Sequence, residues 1–397
     1  MSLNSVPAAE RVHIGIFGRR NSGKSSLINA ITGQMVAIVS DVKGTTTDPV
    51  SKTMELLPLG PVVITDTPGA DDDGELGKMR VQKAYQALDK TDIAILVIDC
   101  VQGKTTTDED ILTAIKAKQI PYITVFNKSD RISGKLQISE NEMLISAKTM
   151  ENIDELKERL SKLALNDKNS IPLISDKVCK GDIVVLVVPI DAAAPKSRLI
   201  LPQQQTIREL LEAGAVSVVC REHELKQTLS VLRKKPKAVI TDSQVFKAVS
   251  DIVPSDVELT SFSILFARKK GDLAEVVKGA AAIDRLCDGD KILISEGCTH
   301  RRQCGDIGTC KLPALLKRYT GKKLDFYYTS GIDFMSASES FDLIIHCGSC
   351  MLNEREMKHR IKCAQDRRIP ITNYGIAIAY MNGILERSIR LFPEIGL

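Results

Sequence analysis

The sequence feature that most constrains the fold is an eight-residue loop near the amino terminus, GRRNSGKS, which runs from Gly18 to Ser25. It fits the pattern G-x-x-x-x-G-K-[ST], follows the apolar run VHIGIF and precedes a helical pattern. In this context the glycines let backbone N–H groups approach phosphate oxygens at a helix amino terminus. Lys24 is expected to neutralise the β- and γ-phosphates, and the Ser25 hydroxyl to bind Mg²⁺. The loop therefore predicts a nucleotide-binding α/β domain.

Three further strings identify the nucleotide as GTP. DTPG (66–69) ends the strand VVITD, which places Asp66 at the magnesium shell and Gly69 near the γ-phosphate. NKSD (127–130) ends the strand YITVFN, and the Asp130 carboxylate can accept two N–H bonds from guanine that adenine cannot supply. SAK (146–148) is expected to support the base. The predicted nucleotide-binding residues are Gly18, Asn21, Ser22, Gly23, Lys24, Ser25, Ser26, Asp66, Gly69, Asn127, Lys128, Asp130, Ser146, Ala147 and Lys148.

Alternating apolar runs and helical patterns predict an α/β protein of three domains. A GTP-binding domain with a doubly wound, mostly parallel sheet is expected over residues 8–168. A polar stretch with Pro172 reads as a linker. A small α/β domain over residues 180–267 is expected to serve self-association, and a parallel α/β domain over residues 268–397 carries most of the clustered cysteines.

Composition narrows the function classes. With 54 basic and 50 acidic residues, no Trp, nine Phe and seven Tyr, neither charge nor aromatic content favours nucleic-acid binding. No stretch approaches 18 apolar residues and the first residues lack a secretory pattern, so a cytoplasmic protein that does not bind membranes is expected. Ten cysteines in a reducing compartment are not expected to form a disulfide framework.

Five of the ten cysteines lie between Cys298 and Cys350. The string HCGSC (346–350) ends the predicted strand FDLII, and Cys298-Thr299-His300 follows the predicted strand KILIS in the same way. In a parallel sheet both groups emerge at the carboxyl edge, where such sheets place their ligand crevices. Their separation in sequence is therefore no obstacle to a shared site.

Three chemistries fit these residues. A redox disulfide is one, and a structural zinc bound by Cys298, Cys347 and Cys350 with His300 or His346 is the second. An iron–sulfur cluster is the third, because three thiolates can hold three corners of a 4Fe-4S cube and leave one iron to an exchangeable ligand. The residues alone do not choose between zinc and iron.

The amino-terminal motifs resemble the GTPases of the TrmE–Era–EngA type. GTTTD (44–48) stands at their switch I string G-T-T-R-D, so the resemblance implies Thr46, with Thr45 second, as a magnesium ligand. Asn21 matches an asparagine that coordinates K⁺ in potassium-activated members, where the ion stabilises transition-state charge. Ala70 stands where Ras-like enzymes have a glutamine, so Glu75 or a paired GTPase domain is expected to orient water. The resemblance therefore implies a slow, potassium-stimulated GTPase.

Joined to this GTPase, the pattern Cys298-x-His300 … His346-Cys347-x-x-Cys350 resembles the HydF family of FeFe-hydrogenase maturation GTPases over the whole chain. The resemblance implies a 4Fe-4S cluster on the three cysteines, with His300 and His346 as candidate fourth ligands. Asp191, at the end of the strand IVVLVVPI, is a further candidate if the middle domain packs over the cluster. It also implies a dimer or higher oligomer that carries a diiron precursor, assembled with radical-SAM maturases, to apo-hydrogenase.

Two alternatives remain at this point. One is an RNA- or ribosome-associated GTPase with a structural zinc, and the other is a GTP-regulated disulfide oxidoreductase. Cys304 and Cys310 join no motif and are expected to line a pocket or to be structural.

Overall fold

The computed structural model describes residues 6–33, 49–69, 75–132, 138–166, 171–190, 199–297, 306–331, 334–335 and 339–395. The chain forms two compact units, Met1–Asn169 and Ser170–Leu397. Several predicted site residues lie outside the described ranges: Thr45, Thr46, Ala70, Asp191, Cys298, His300 and Cys304. The side chain of Glu75 is also outside them.

The described part of the first unit contains a six-stranded sheet in the order β2-β3-β1-β4-β5-β6. The strands are β1 Val12–Phe17, β2 Val50–Leu56, β3 Gly60–Asp66, β4 Ile93–Asp99, β5 Tyr122–Asn127 and β6 Glu142–Leu144. The helices are α1 Lys24–Thr32, α2 Glu75–Leu88, α3 Thr106–Ala117 and α4 Ile153–Asn166. All pairs are parallel except β2 with β3, so the predicted doubly wound, mostly parallel sheet is confirmed.

Burial explains which strands the sequence reveals. All seven residues of β4 are buried, because helices cover both faces of a central parallel strand. The edge strand β2 was not predicted, since most of its side chains are exposed and it lacks an apolar run. It exists because its backbone pairs with β3 along all seven residues.

The second unit contains two four-stranded parallel sheets within the described residues, ordered β10-β9-β7-β8 and β12-β11-β13-β14. Their strands are β7 Ile183–Val187, β8 Val216–Cys220, β9 Ala238–Thr241, β10 Glu258–Ser261, β11 Lys291–Glu296, β12 Asp325–Ser330, β13 Leu343–His346 and β14 Ile371–Asn373. The helices are α5 Leu201–Glu212, α6 Leu225–Val231, α7 Phe246–Ile252, α8 Phe262–Lys270, α9 Leu273–Ala280, α10 Leu312–Thr320, α11 Glu354–Asp366, α12 Tyr374–Met381 and α13 Leu385–Ile389.

The two sheets of the second unit share one hydrophobic core. Buried side chains of both, such as Val185 and Ile344, belong to the same contiguous cluster. A Cβ at Gly279 would lie 1.9 Å from the carbonyl oxygen of Ile371, so α9 packs directly against β14. The predicted boundary between residues 267 and 268 lies within α8, which contributes to this core. In the part of the chain that is described, every helix is too short or too polar to cross a membrane.

The carboxylate of Glu209 on α5 ties the start of this unit to its core. It accepts backbone N–H bonds from Leu173, Ile174 and Ser175 at 3.0, 2.7 and 2.8 Å. Burial raises the pKa of Glu209, but these N–H groups outweigh it and hold the pKa below its usual value of 4.5.

We expect Glu209→Gln to lower the free energy of unfolding of this unit by about 1–3 kcal/mol, because one amide oxygen cannot replace a carboxylate across three donors. Since the folded pKa is lowered, the advantage of wild type is full above about pH 4.5 and is lost as the pH falls below it. Thermal unfolding from pH 7 to pH 3 measures both effects. Glu212→Gln, at an exposed surface pair with Arg208, is the control; equal midpoints for both variants would contradict the assignment.

Candidate functional site

The loop between β1 and α1 has the backbone of a phosphate cradle. Gly18 and Gly23 adopt φ of 141° and 94°, and Asn21 adopts φ of 58°. A Cβ at Gly18 would lie 2.3 Å from the carbonyl oxygen of Val97, and one at Gly23 would lie 2.1 Å from Nδ2 of Asn127. Both positions therefore require glycine, as a loop whose backbone N–H groups bind phosphate does.

Lys24 and Ser25 open α1 at the base of this loop. Lys24 is buried, and its Nζ donates to the carbonyl oxygens of Gly18 and Arg19 at 3.0 and 2.8 Å. Ser25 Oγ donates to Asp66 Oδ2 at 3.0 Å, at the carboxyl end of β3. Burial raises the pKa of Asp66, although Lys24 and Ser25 oppose it.

The donor set around Asp66 fits a magnesium ion. Its second oxygen, Oδ1, is buried and has no hydrogen-bond partner among the described residues. A hydroxyl and a carboxylate with an unpaired oxygen, beside a phosphate cradle, are the hard oxygen ligands that Mg²⁺ takes. A Cβ at Gly69 would lie 2.9 Å from the backbone nitrogen of Arg20, so the DTPG string adjoins the same loop.

The predicted guanine-reading residues also meet at this edge of the sheet. Asn127 Nδ2 donates to the Ser22 carbonyl oxygen at 3.1 Å, and its Oδ1 accepts from the Ala147 N–H at 3.1 Å. The Asp130 carboxylate accepts from the buried Ser146 hydroxyl at 2.6 Å, which lowers the pKa of Asp130. One carboxylate oxygen is thus oriented by the SAK string, and Asn127 links that string to the phosphate loop.

Lys128 connects the base-binding strings to the phosphate loop through its ammonium group. Its Nζ donates to the carbonyl oxygen of Asn21 at 2.7 Å and to Asp99 Oδ2 at 2.6 Å. Asp99, at the end of β4, was not predicted from the sequence. Its position at a strand end beside the other motifs is the signal that would have identified it.

The cysteine strings follow neighbouring strands. β11 pairs with β13, and Ser295 is opposite His346. The Gly297 N–H donates to Cys347 Sγ at 3.1 Å, and the Cys347 N–H donates to the Ser295 carbonyl oxygen at 2.9 Å. The residue immediately before Cys298 therefore contacts the sulfur of Cys347.

The loop that follows Cys347 is fixed by hydrogen bonds from Lys270. Lys270 is buried on α8, and its Nζ donates to the carbonyl oxygens of Leu352 and Cys350 at 2.9 and 3.5 Å. Ser349 takes φ of 56°, which places it in the left-handed region between the two cysteines. Burial raises the pKa of the Cys350 thiol, although Lys270 opposes it.

No disulfide joins Cys347 or Cys350 to another described cysteine. No group of three or more His, Cys, Asp or Glu side chains arranged to hold a metal occurs within the described residues, and the third predicted thiol lies outside them. Two cysteine sulfurs beside a strand end, one of them accepting a backbone N–H bond, form a donor set that fits an iron–sulfur cluster. Cys310 is exposed.

His346 is fully buried at the end of β13. Its Nδ1 lies 2.8 Å from the Cys347 carbonyl oxygen, and its Nε2 lies 3.0 Å from Nη1 of Arg360. Burial and the Arg360 charge lower the pKa of His346 to about 3, so the imidazole is neutral. Both ring nitrogens bond to protein groups, and Arg360, on α11, was not predicted from the sequence.

Comparison with known families divides the chain into three regions. Residues 13–128 match the model described as 50S ribosome-binding GTPase. Residues 173–271 match the hydrogen maturase F dimerization domain, and residues 274–391 match the hydrogen maturase F tetramerization domain. The predicted self-association of the middle region agrees with its match. The sequence predicts cluster binding for the carboxyl-terminal region, and the family model that matches this region is named for tetramerization.

Individual relatives cover part of this chain. GTPase Der of Wolinella succinogenes is 35% identical over 42% of this chain and 38% of its own length. The tRNA modification GTPase MnmE of Chromobacterium violaceum is 35% identical over 38% of this chain and 34% of its own length. The chain therefore spans little more than a third of these curated relatives. A crystal structure of Era from Aquifex aeolicus aligns with 22% identity over 52% of this chain and 91% of that one, with a TM-score of 0.34.

The predicted GTPase domain is confirmed by the family match over residues 13–128, and both regions that follow it match hydrogen maturase F domains. Because these domains follow one another along nearly the whole chain, the protein belongs to the hydrogen maturase F (HydF) family.

Proposed function

We propose that this protein is a GTPase that binds a 4Fe-4S cluster and carries a diiron precursor to apo-hydrogenase during FeFe-hydrogenase maturation. The observation that carries the proposal is the contact between the Gly297 N–H and the Cys347 sulfur, at 3.1 Å. Gly297 immediately precedes Cys298 in the sequence. Cys298, Cys347 and Cys350 are the proposed cluster ligands.

The cluster would supply an iron whose fourth ligand is exchangeable, which suits a protein that binds and releases another metal complex. The chain's own residues supply the frame. β11 and β13 end at one edge of the sheet, Gly297 donates to the Cys347 sulfur, and Lys270 fixes the carbonyl groups of the loop. His300 and Asp191 are retained as candidate fourth ligands.

At the nucleotide site, GTP would bind with its phosphates on the loop between Gly18 and Ser25 and its guanine on Asp130. Lys24 would neutralise the β- and γ-phosphates, and Ser25, Thr46 and Asp66 would hold Mg²⁺. Gly69 would meet the γ-phosphate, and Glu75 would orient the attacking water. The proposal is supported by the unpaired Asp66 oxygen and by the cradle that only glycine fits.

We propose that K⁺ stimulates hydrolysis through Asn21. The left-handed Asn21 lies at the turn of the phosphate loop, and Lys128 holds its carbonyl oxygen. A cation there would stabilise transition-state charge as an arginine finger does. We expect kcat to be about tenfold or more higher in KCl than in NaCl, and Asn21→Ala to remove the difference, because one well-placed electrostatic contact is worth about that much or more.

Steady-state phosphate release in the two salts measures this effect. Ser129→Ala, at the variable position of NKSD, is the control that should keep the salt difference. Equal rates for wild type in both salts would exclude a role for K⁺.

A transfer assay tests the carrier function directly. The protein is reconstituted anaerobically, incubated with the radical-SAM maturases, repurified and added alone to apo-hydrogenase. We expect hydrogen evolution to appear, and none from protein that has not met the maturases. If repurified protein activates nothing while the complete mixture does, the protein is not the carrier.

The zinc-containing, RNA-associated GTPase is not favoured. The relative named for tRNA modification covers 38% of this chain, whereas residues 173–271 and 274–391 match hydrogen maturase F domains. The dimerization and tetramerization domains support a homo-oligomer. The radical-SAM maturases and the apo-hydrogenase are proposed partners.

A further inference from the structure

The polar group behind the cysteine site is the guanidinium of Arg360, which is 1% exposed. Nη1 lies 3.3 Å from Ser295 Oγ, and Nη2 donates to the carbonyl oxygen of Gly331 at 2.5 Å and to Glu356 Oε1 at 2.7 Å. The ring of Phe334 covers the guanidinium carbon at 5.2 Å. Moving this group would break its ion pair with the buried carboxylate of Glu356, and breaking a buried ion pair is strongly destabilising. The surrounding fold therefore fixes its position.

Arg360 also fixes the hydrogen-bonding role of the ring nitrogens of His346. Nη1 is 3.0 Å from Nε2 of His346, and Nδ1 of the same ring is 2.8 Å from the Cys347 carbonyl oxygen. A guanidinium only donates and a carbonyl oxygen only accepts, so Nδ1 carries the proton and Nε2 accepts from the arginine. A neutral histidine binds a metal through the nitrogen that has a lone pair. Here that lone pair is directed at a fixed cation.

We propose that Arg360 is a positioning residue of the cysteine site, which occupies the lone pair of His346 and keeps this imidazole from becoming the fourth ligand of the cluster. The inference rests on the proposed function, because it assumes a cluster on Cys347 and Cys350. It assigns His346 a different task, which is to hold the Cys347 carbonyl group through Nδ1–H.

The contacts of Arg360 tie together the two strand ends that carry the ligands. Ser295 is three residues before Cys298 on β11, and His346 is the residue before Cys347 on β13. Arg360 bonds to both side chains. By excluding His346, this arrangement leaves the remaining iron corner to a ligand that is not locked into the core, as a carrier requires.

The first test needs no metal. The protein contains five histidines, so nitrogen NMR of isotope-labelled histidine resolves few signals, and His346→Gln identifies the one of interest. We expect His346 to be the Nδ1–H tautomer in the wild-type apoprotein. The double variant Arg360→Met/Glu356→Met removes both buried charges together. The Cys347 carbonyl oxygen still accepts from Nδ1–H in this variant, so we expect the tautomer to be kept and the Nε2 signal to shift, because Nε2 loses the hydrogen bond from Arg360. An Nε2–H tautomer in wild type, or an unshifted Nε2 signal in the variant, overturns the proposal.

The second test is pulsed EPR of the reduced, reconstituted cluster. We expect no nitrogen coupling that depends on His346 in wild type. In Arg360→Met/Glu356→Met we expect a new, direct nitrogen coupling that disappears when His346→Gln is added. Coupling in wild type that His346→Gln removes overturns the proposal, as does a variant with full iron content and no new coupling.

Two further variants keep these tests decisive. Glu354→Met/Lys358→Met removes the exposed ion pair of the same spacing on α11 and should leave the Nε2 signal and the EPR spectrum unchanged. Arg360→Lys keeps a cation beside Glu356 but loses the second donor nitrogen, and it replaces the double variant if that one does not fold. If wild type takes up no iron, the proposed function fails, whereas the NMR measurement still decides the role of Arg360.

Discussion

Asp130→Asn is expected to lower the affinity for GTP by about 10²–10⁴-fold, because the two hydrogen bonds from guanine to a carboxylate contribute about 1.5–3 kcal/mol each. The same change should favour xanthosine triphosphate. Xanthine presents a carbonyl oxygen where guanine has its amino group, and an asparagine amide can donate to it. Ser146, which donates to one Asp130 oxygen at 2.6 Å, can keep the amide oriented.

Calorimetric titration with GTP and with xanthosine triphosphate measures this change in nucleotide preference. Ser129→Ala is the matched control, since this neighbouring side chain bonds to Glu151 and not to the predicted base site. Unchanged GTP affinity in Asp130→Asn would show that the NKSD string does not read the base.

Cys347→Ser is expected to lose most of its cluster and, with it, the ability to activate apo-hydrogenase. Altering even outer-shell partners costs about 10–100-fold in metal affinity or activity, and removing a ligand should cost more. The backbone around residue 347 should change little, because serine can still accept the Gly297 N–H bond that Cys347 Sγ accepts at 3.1 Å. GTP hydrolysis should therefore continue at the wild-type rate.

Hydrogen evolution after maturation in vitro measures this loss, and phosphate release confirms that the GTPase domain is intact. Cys287→Ser is the control because Cys287 is an exposed free thiol in the same unit and belongs to no motif. Normal activation by Cys347→Ser would refute the carrier role even if the protein contains iron.

The sequence was most informative where burial and function coincide. β1 and β5 were predicted to the residue, as the runs VHIGIF and YITVFN, because inner strands of a parallel sheet are largely apolar. β10 was missed because its four residues run directly into α8, whose N-cap is Ser261, so one apolar pattern covers a strand and a helix.

Charged residues of the cysteine site show a limit of sequence reasoning. On α11, Glu354 and Lys358 form an exposed pair four residues apart, whereas Glu356 and Arg360 form a buried pair with the same spacing. Both pairs look like surface charge in the sequence. Only the packing of α11 against β11 and β13 determines which pair faces the core, so neither Arg360 nor its contact with His346 could be predicted.

Metal content tests the central claim most directly, which is that one chain combines a GTPase with a cluster carrier. Iron, sulfide and zinc are measured on anaerobically reconstituted wild type and on Cys298→Ser, Cys347→Ser and Cys350→Ser, with EPR of the reduced proteins. We predict roughly four irons and four sulfides per chain, a cluster signal in wild type, and loss of both in each variant. One tightly bound zinc per chain and no iron would contradict the account.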